Sequence, residues 1–346
     1  MRVLLGMSGG LDSTCAAKIL IEEGHIVEGA VLVMHAFTER EAAKNAAATL
    51  GIPLHEVDGT ERFRQAVQKN FAEEYLRGRT PNPCVVCNRE VKFALLYEYA
   101  MQNGFDAIAT GHYASIVEKN GRYAVALAKD SAKDQSYVLW SLPQHILSHL
   151  LFPLSGKEKS VLRAKAKEES LTVADRAESQ EICFIPDGDY AKFICECTGT
   201  VPQEGDFVDE SGAVLGRHKG IIHYTVGQRK GLGIAMGKRM FVTAVSAETN
   251  TVTLSENPNA TVSDFYLEGM VFSGISEPEA GAVLQAQARV RYLSPLRSAT
   301  VMYLGGGNAR VHLQEPARAV TPGQSAVFYS DGAVQYGGVI SLEEKR

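Results

Sequence analysis

The chain has 346 residues, more than one hydrophobic core fills, because single cores stop growing at roughly 250–300 residues, so two or three domains are expected. Hydrophobic residues make up 45% and charged residues 22%, a globular composition with no apolar run of membrane-spanning length and no signal peptide, which argues against membrane and secreted classes and sets cytoplasmic as the expected location. The net charge of −5 argues weakly against a nucleic-acid partner, and six cysteines in an intracellular chain this long read as core thiols, catalytic thiols or metal ligands, not a disulfide framework.

The first third alternates apolar runs with helical patterns. Strands are expected at Arg2–Gly6, Ile26–Met34, Leu54–Val57 and Phe105–Thr110, and helices at Asp12–Glu23, Thr38–Leu50, Glu61–Arg77 and Glu90–Met101. Thr38 and Glu41 have capping-box spacing, and Gly51-Ile52-Pro53 ends that helix. This rhythm predicts a parallel sheet with helices on both faces and ligands at the carboxyl ends of the strands. Lys157–Lys167 holds five basic residues and one acid on a helical pattern, the composition of a solvated face. Near residue 198 the pattern changes. Thr198-Gly199-Thr200-Val201-Pro202 punctuates the chain, and β-like runs follow at Gly212–Leu215, Gly220–Val226, Arg239–Val245 and Thr251–Leu254. A second break is expected near Glu256-Asn257-Pro258-Asn259. Beyond it, from Phe265 onward, strands recur at Ala286–Tyr292, Ala299–Tyr303, Ala309–Gln314, Ser325–Ser330 and Val334–Ile340, as in a small antiparallel barrel or sandwich. The expected division is a catalytic domain at 1–197, a central β-rich domain at 198–258 and a C-terminal β-barrel at 259–346. Ser211–Ala247 holds six basic residues and no acid, and Gly281–Gln314 holds four and none. Local basic surface of this kind, not total charge, attracts phosphate.

Three motifs carry chemistry. Gly6-Met7-Ser8-Gly9-Gly10-Leu11-Asp12-Ser13 lies between a strand and a helix. Its glycines let successive amides turn toward one point, the helix adds its positive end, and the two serines add hydroxyls, which together suit a phosphate or pyrophosphate. No Gly-Lys-Ser/Thr follows, so it is not a Walker loop; it resembles the PP-loop of ATP pyrophosphatases, and Asp12 is a candidate magnesium ligand. The second motif, Asn82-Pro83-Cys84-Val85-Val86-Cys87-Asn88, precedes a helix. A thiolate at a helix N-terminus is stabilised by the dipole, so Cys87 is expected to be reactive, and Cys-x-x-Cys spacing also suits a metal or a redox pair. The third, Glu178-Ser179-Gln180-Glu181-Ile182-Cys183-Phe184-Ile185-Pro186, has one cysteine between apolar residues, which by itself reads as a core thiol. Cys195 and Cys197 read as structural or incidental, and Cys15 as core.

In this order, and with Ala-Thr-Gly-His-Tyr-Ala at 109–114, Lys-Asp-Gln-Ser-Tyr at 133–137, Tyr-Thr-Val-Gly-Gln-Arg-Lys-Gly-Leu-Gly at 224–233, Val-Arg-Tyr at 290–292 and Pro-Gly-Gln-Ser-Ala-Val-Phe-Tyr at 322–329, the motifs resemble the tRNA-uridine 2-sulfurtransferase family over nearly the whole chain. The resemblance implies that Gly6 to Ser13 (Gly6, Met7, Ser8, Gly9, Gly10, Leu11, Asp12, Ser13), Met34 and Gly111 bind ATP with Mg2+. Asn82, Pro83 and Cys84 would face the target base. His112, Lys133, Asp134, Gln135, Arg291, Tyr292 and Gln324 would touch tRNA. Cys183 would carry a persulfide with Cys87 as partner thiol, acting on the wobble uridine (U34) and supplied by a sulfur donor such as a cysteine desulfurase or a sulfur-relay protein. Many members of that family carry Asp where this chain has Cys84. The substitution raises a second expectation, that Cys84, Cys87 and Cys183 hold a [4Fe–4S] cluster with one iron open to sulfide. Two rivals are a PP-loop amidating ligase, which would not need Cys87 and Cys183, and a non-catalytic RNA-binding protein.

Overall fold

The computed structural model describes residues 1–168, 182–234, 237–257 and 261–344. Strands β1 (Arg2–Gly6), β2 (Ile26–Val33), β3 (Leu54–Asp58) and β4 (Ala107–Thr110) alternate with helices α1 (Leu11–Glu22), α2 (Arg40–Leu50), α3 (Thr60–Phe63), α4 (Lys69–Leu76), α5 (Pro83–Cys87) and α6 (Phe93–Gln102). Single π-turns at Arg64–Gln68 and Asn88–Lys92 join α3 to α4 and α5 to α6. The hairpin β5 (Ser115–Lys119) and β6 (Arg122–Ala126) follows, then α7 (Gln144–Leu147), the short β7 (Leu150–Leu151), α8 (Lys159–Glu168) and α9 (Tyr190–Thr198). The sheet runs β3-β2-β1-β4-β7, every pairing parallel. Its central strands β1 and β4 are apolar and buried along most of their length because helices cover both faces, while the edge strand β3 carries His55, Glu56 and Asp58.

Two expectations here need correction. Thr38 does not cap α2; the N-cap is Glu39 without a side-chain bond, and Thr38 Oγ1 instead accepts from the amides of Met34 and His35 at 3.2 and 3.3 Å, folding the turn after β2. The helix expected from Glu90 begins at Pro83, where a proline's fixed φ and missing N–H suit a first helical position.

In the central region β8 (Gly205–Val208), β9 (Val214–His218), β10 (Phe241–Ser246) and β11 (Thr251–Ser255) form a sheet ordered β10-β11-β8-β9 around Phe207, Tyr224 and Val252. The run Gly220–Val226 is not a strand: Ile221–His223 is a 3-10 turn. The last six strands, β12 (Thr261–Phe272), β13 (Val283–Arg289), β14 (Arg297–Gly305), β15 (Asn308–Arg318), β16 (Ser325–Ser330) and β17 (Ala333–Ser341), close into an antiparallel barrel because β12 pairs with both β15 and β17. Closure leaves no hydrogen-bonding edge in the ring, which decides between barrel and sandwich. The unforeseen β5–β6 hairpin, from just past the first third of the chain, joins this sheet where Ala126 pairs with Ala333.

The barrel and the parallel sheet share a core. Val327, Tyr329 and Val334 pack in one cluster with Leu4, Phe93, Tyr137 and Trp140. Tyr137 Oη donates to the carbonyl of Ser325 at 2.7 Å and Trp140 Nε1 to Ser325 Oγ at 3.0 Å. A side chain at Gly337 would meet the indole of Trp140 at 2.5 Å, so this seam is fixed by close packing.

Candidate active site

The site begins where β1 ends. The amide of Met7 donates to Ala30 on β2 at 2.8 Å, holding the turn flat against the sheet. Ser13 Oγ donates to the carbonyl of Gly10 at 3.1 Å and accepts from the amide of Ser8 at 3.3 Å. Gly9 has φ of +72°, and a Cβ there would lie 2.2 Å from the backbone of Ala42. Gly111, just after β4, presses on the same turn from the other side; its Cβ would lie 2.7 Å from the backbone of Asp12. Gly10 caps α1 without a side chain, so the first-turn amides keep their capacity for an anion alongside the positive helix end. The structure therefore brings Gly6 through Ser13 and Gly111 together, with Met34 just past β2 on the same rim.

Asp12 has a tighter setting than the sequence suggested. Its Oδ1 accepts from Tyr113 Oη at 2.8 Å, and its Oδ2 pairs with Lys159 Nζ at 2.8 Å. Burial, reinforced by the Asp12 charge, pushes the Tyr113 phenol well up, so it stays a donor. Neither Tyr113 nor Lys159 stood out in the sequence; only tertiary proximity to Asp12 marks them.

Three thiols meet beside this rim. Cys84 and Cys87 lie on α5. Cys183 arrives from a distant part of the chain, and Phe184 and Ile185 anchor it by packing with Cys87, Phe63 and Phe71. Phe184 stacks edge-on against Phe63 and Phe71 at 5.4 and 5.6 Å. Cys183 and Cys84 are exposed; Cys87 is buried, its Sγ 3.9 Å from Met34 Sδ. The expectation of a dipole-activated Cys87 fails for a physical reason. The helix starts at Pro83, so Cys87 is a full turn inside it, and burial pushes its thiol up to about 12. Desolvation also raises Cys84 and Cys183, and the three sulfurs repel one another's charge. The Lys92 ammonium opposes the rise at all three. It is a third residue that sequence reasoning missed. The residues 178–181 of the third motif lie outside the described residues.

The cluster alternative finds no support in this geometry. Among the described residues no three His, Cys, Asp or Glu side chains are arranged to hold a metal ion, and Cys87 is buried while Cys84 and Cys183 face out. Cys15 sits in the core as expected.

The residues assigned to tRNA scatter. Tyr292 is 43% exposed at a barrel loop beside Tyr137. Arg291 is half-buried and donates to the carbonyl of Val226 at 3.2 Å and to Thr321 Oγ1 at 2.8 Å, tying barrel to central region. Lys133 is half-exposed. Asp134 is buried, paired with Arg289 of the barrel, and accepts from the amides of Ala128 and Ser136. Gln135 Oε1 accepts from the amide of Tyr113 at 2.9 Å. His112 packs against Phe93 and Phe152, bonds Thr110 Oγ1 at 2.7 Å and is held neutral by burial. Gln324 donates to the carbonyls of Thr80 and Pro81 at 2.9 and 3.1 Å, and the amide of Thr80 donates to Pro322 at 2.8 Å. Arg79 adds a buried link to Glu74 and to Glu268 of the barrel. The loop that leads into Asn82, Pro83 and Cys84 is thus clamped by the barrel, above a cavity of about 170 Å³ that Asn82 lines. In the central region Arg229, Lys238 and Arg239 surround a cavity of about 520 Å³.

This architecture matches family models in three consecutive pieces: a tRNA methyl transferase HUP domain over residues 1–187, a tRNA methyl transferase PRC-barrel domain over 191–256 and an aminomethyltransferase beta-barrel domain over 263–340. The tRNA-specific 2-thiouridylase MnmA of Acetivibrio thermocellus is 43% identical, covering 98% of this chain and 99% of the relative. That of Clostridium acetobutylicum is 42% identical over 98% and 99%. The chain belongs to the tRNA-specific 2-thiouridylase family. Among solved structures, a 4-thiouridine synthetase–RNA complex with bound ATP aligns at 19% identity and a TM-score of 0.39, covering 57% of this chain and 50% of that one. Both relatives match nearly end to end, so the likeness spans all three parts of the chain. No helix among the described residues is long and apolar enough to cross a membrane.

Proposed function

We propose that this family member is an ATP-dependent tRNA sulfurtransferase of the cytoplasm that makes 2-thiouridine at the wobble position. The observation that carries the reading is the delivery of Cys183 against the wall holding Cys87, whose sulfur touches Met34 beside the phosphate loop. A nucleotide site alone serves many reactions; thiols on its rim point to sulfur.

In this reading the C2 carbonyl oxygen of the uridine attacks the α-phosphorus of ATP, and pyrophosphate leaves into the Ser8–Ser13 loop. The oxygen, a poor leaving group, is now part of AMP. The terminal sulfur of a Cys183 persulfide attacks C2, AMP departs with the oxygen, and the base is joined to Cys183 through two sulfurs. Cys87 then attacks the Cys183 sulfur; the electron pair of the broken S–S bond goes to the sulfur on the base, leaving 2-thiouridine and a Cys87–Cys183 disulfide that an external thiol reductant reopens. An anticodon-loop base is already unpaired, so placing it in a pocket costs little. The exposed ring of Tyr292 suits base stacking, and Lys133, Arg291 and the Arg229, Lys238 and Arg239 group suit backbone phosphates. Asn82, Pro83 and Cys84 would face the base, while Asp134, Gln135, His112 and Gln324 would shape the tRNA path through the internal bonds described above. Mg2+ would enter with the phosphates of ATP. Sulfur would come from a cysteine desulfurase or a relay protein.

The test is tRNA-dependent pyrophosphate release under each supply. Release coupled to 2-thiouridine with a persulfide donor supports the reading. Release that depends on ammonia or glutamine would identify an amidating ligase instead, and no release with tRNA present would leave an RNA-binding protein.

A further inference from the structure

Resting on the tRNA reading of the barrel loops, we propose that Leu293 is an apolar wedge that fills the gap left in the anticodon loop when the target uridine turns out of the base stack. Between β13 and β14 the chain makes a tight turn over residues 291–294, closed by the amide of Ser294 donating to the carbonyl of Arg291 at 3.1 Å. Leu293 is the third of these four residues and has φ of +58°. A positive φ at that place in a turn calls for Gly or Asn, because in the left-handed region a larger side chain crowds its own backbone.

Three observations assemble the device. The first is strain. Among the described residues five non-glycine residues have positive φ; Asn120, Asn250 and Asp331 are types that tolerate it and Ala319 is small, so Leu293 alone is large and apolar. The second is exposure. Leu293 is 49% exposed, and Tyr292 and Leu296 on the same loop are exposed with it. One exposed leucine is ordinary; one held outward at a cost in backbone conformation is a mark of function. The third is rigidity. The amide of Arg291 donates to Ser294 Oγ at 3.2 Å, and that hydroxyl donates back to the Arg291 carbonyl at 2.8 Å. Pro295 follows and restricts Ser294 further. The turn is therefore set before any partner arrives, which removes the ordering cost of binding.

The place of the turn names the partner. The ring of Tyr292 lies 6.2 Å from that of Tyr137, whose hydroxyl holds Ser325 next to Gln324 and the clamped loop that leads to Asn82. The stretch Gly281–Gln314 around it carries four arginines and no acid, which suits a polyanion better than a protein face. Extruding a base bares the faces of its two neighbours to water. A branched apolar side chain in the gap covers them and keeps the base from returning, as apolar wedges do between unstacked base steps elsewhere.

The test uses an anticodon stem–loop RNA, with affinity read by fluorescence anisotropy on the wild type, Leu293→Asn and Leu293→Met, and the melting temperature of each. Leu293→Asn relieves the backbone and removes the apolar group, so it should weaken RNA binding by about tenfold while the melting temperature holds or rises. Leu293→Met should recover most of the affinity. Unchanged affinity in Leu293→Asn overturns the proposal, and so does a melting temperature that falls together with affinity, which would make the leucine a packing residue. A thiolation loss seen with a protein sulfur donor and not with a small persulfide donor, at unchanged RNA affinity, would assign the loop to that protein instead. A photoreactive diazirine analogue of leucine at position 293 should cross-link to the nucleotides flanking the target; cross-links confined to the stem overturn the wedge. A wild type that binds no anticodon stem–loop sinks the tRNA reading itself, a result distinct from a wild type that binds and a Leu293→Asn that binds equally well.

Discussion

The two halves of the site are built on opposite principles. On the phosphate side the binding groups are backbone amides, fixed by close packing of Gly9 and Gly111 against neighbouring main chain and by short polar bonds among Ser8, Gly10 and Ser13. On the sulfur side the groups are side chains from separate segments, Cys87 buried and Cys84 and Cys183 at the surface, with desolvation raising all three thiols. The first half is preorganised for an anion that is always charged. The second disfavours the thiolate at all three cysteines, which lowers their reactivity toward oxidants and disulfides. In the proposed reaction the contrast separates recognition, which tolerates rigidity, from sulfur transfer, which would alternate between thiol, persulfide and disulfide.

The comparison can be broken at its rigid end first. Gly111→Ala puts a methyl 2.7 Å from the backbone of Asp12 and must displace the loop. Adenylation, followed as tRNA-dependent pyrophosphate release, should fall by about a hundredfold or more. A rate near wild type would show the phosphate side to be soft. Next comes the clamp that holds the loop before Cys84, on the sulfur side, against the barrel. Arg79→Ala leaves Glu74 and Glu268 without their shared partner, where their side chains are 10% and 15% exposed. Breaking such a buried pair should cost about 3 kcal/mol in urea unfolding. Gln324→Ala removes two donated bonds to Thr80 and Pro81, worth about 1 kcal/mol each. It should lower kcat while tRNA affinity holds, because the loop before Cys84 loosens; a loss confined to tRNA affinity would make Gln324 a direct contact instead.

The smallest expected effect tests the disfavoured thiolates. With all three thiols raised, thiolation should speed up as pH climbs above neutral, and Lys92→Met should move that limb to higher pH, since its charge favours each thiolate. An unmoved profile would remove Lys92 from the sulfur side. Burial that holds folded Cys87 near 12, above its unfolded value of about 8.5, favours the neutral thiol in the folded state. That contribution to stability is complete below the unfolded value and is lost as pH rises from there through 12.

The contrast also explains what could be read in advance. The parallel sheet, the glycine turn and the C-terminal strands are local: alternation, punctuation and strand-to-helix order mark them. The thiol side is not local. Nothing near Cys183 reveals that Phe184 will pack on Phe63 and Phe71; only the resemblance of the whole motif series singled it out. Dipole reasoning misjudged Cys87 because it depends on where the helix begins, and Pro83 moved that start by seven residues. Lys159, Tyr113 and Lys92 were invisible because their significance lies in which distant charge they meet. The β5–β6 hairpin escaped because its partner strand, β17, lies some 200 residues later.

The account's central claim is that Cys183 carries the sulfur while the phosphate side works without it. The direct measurement is a single turnover with tRNA, ATP and persulfide donor on Cys183→Ser, following pyrophosphate and 2-thiouridine together. The account predicts pyrophosphate release with no 2-thiouridine and unchanged ATP affinity. A normal yield of 2-thiouridine from Cys183→Ser would contradict it.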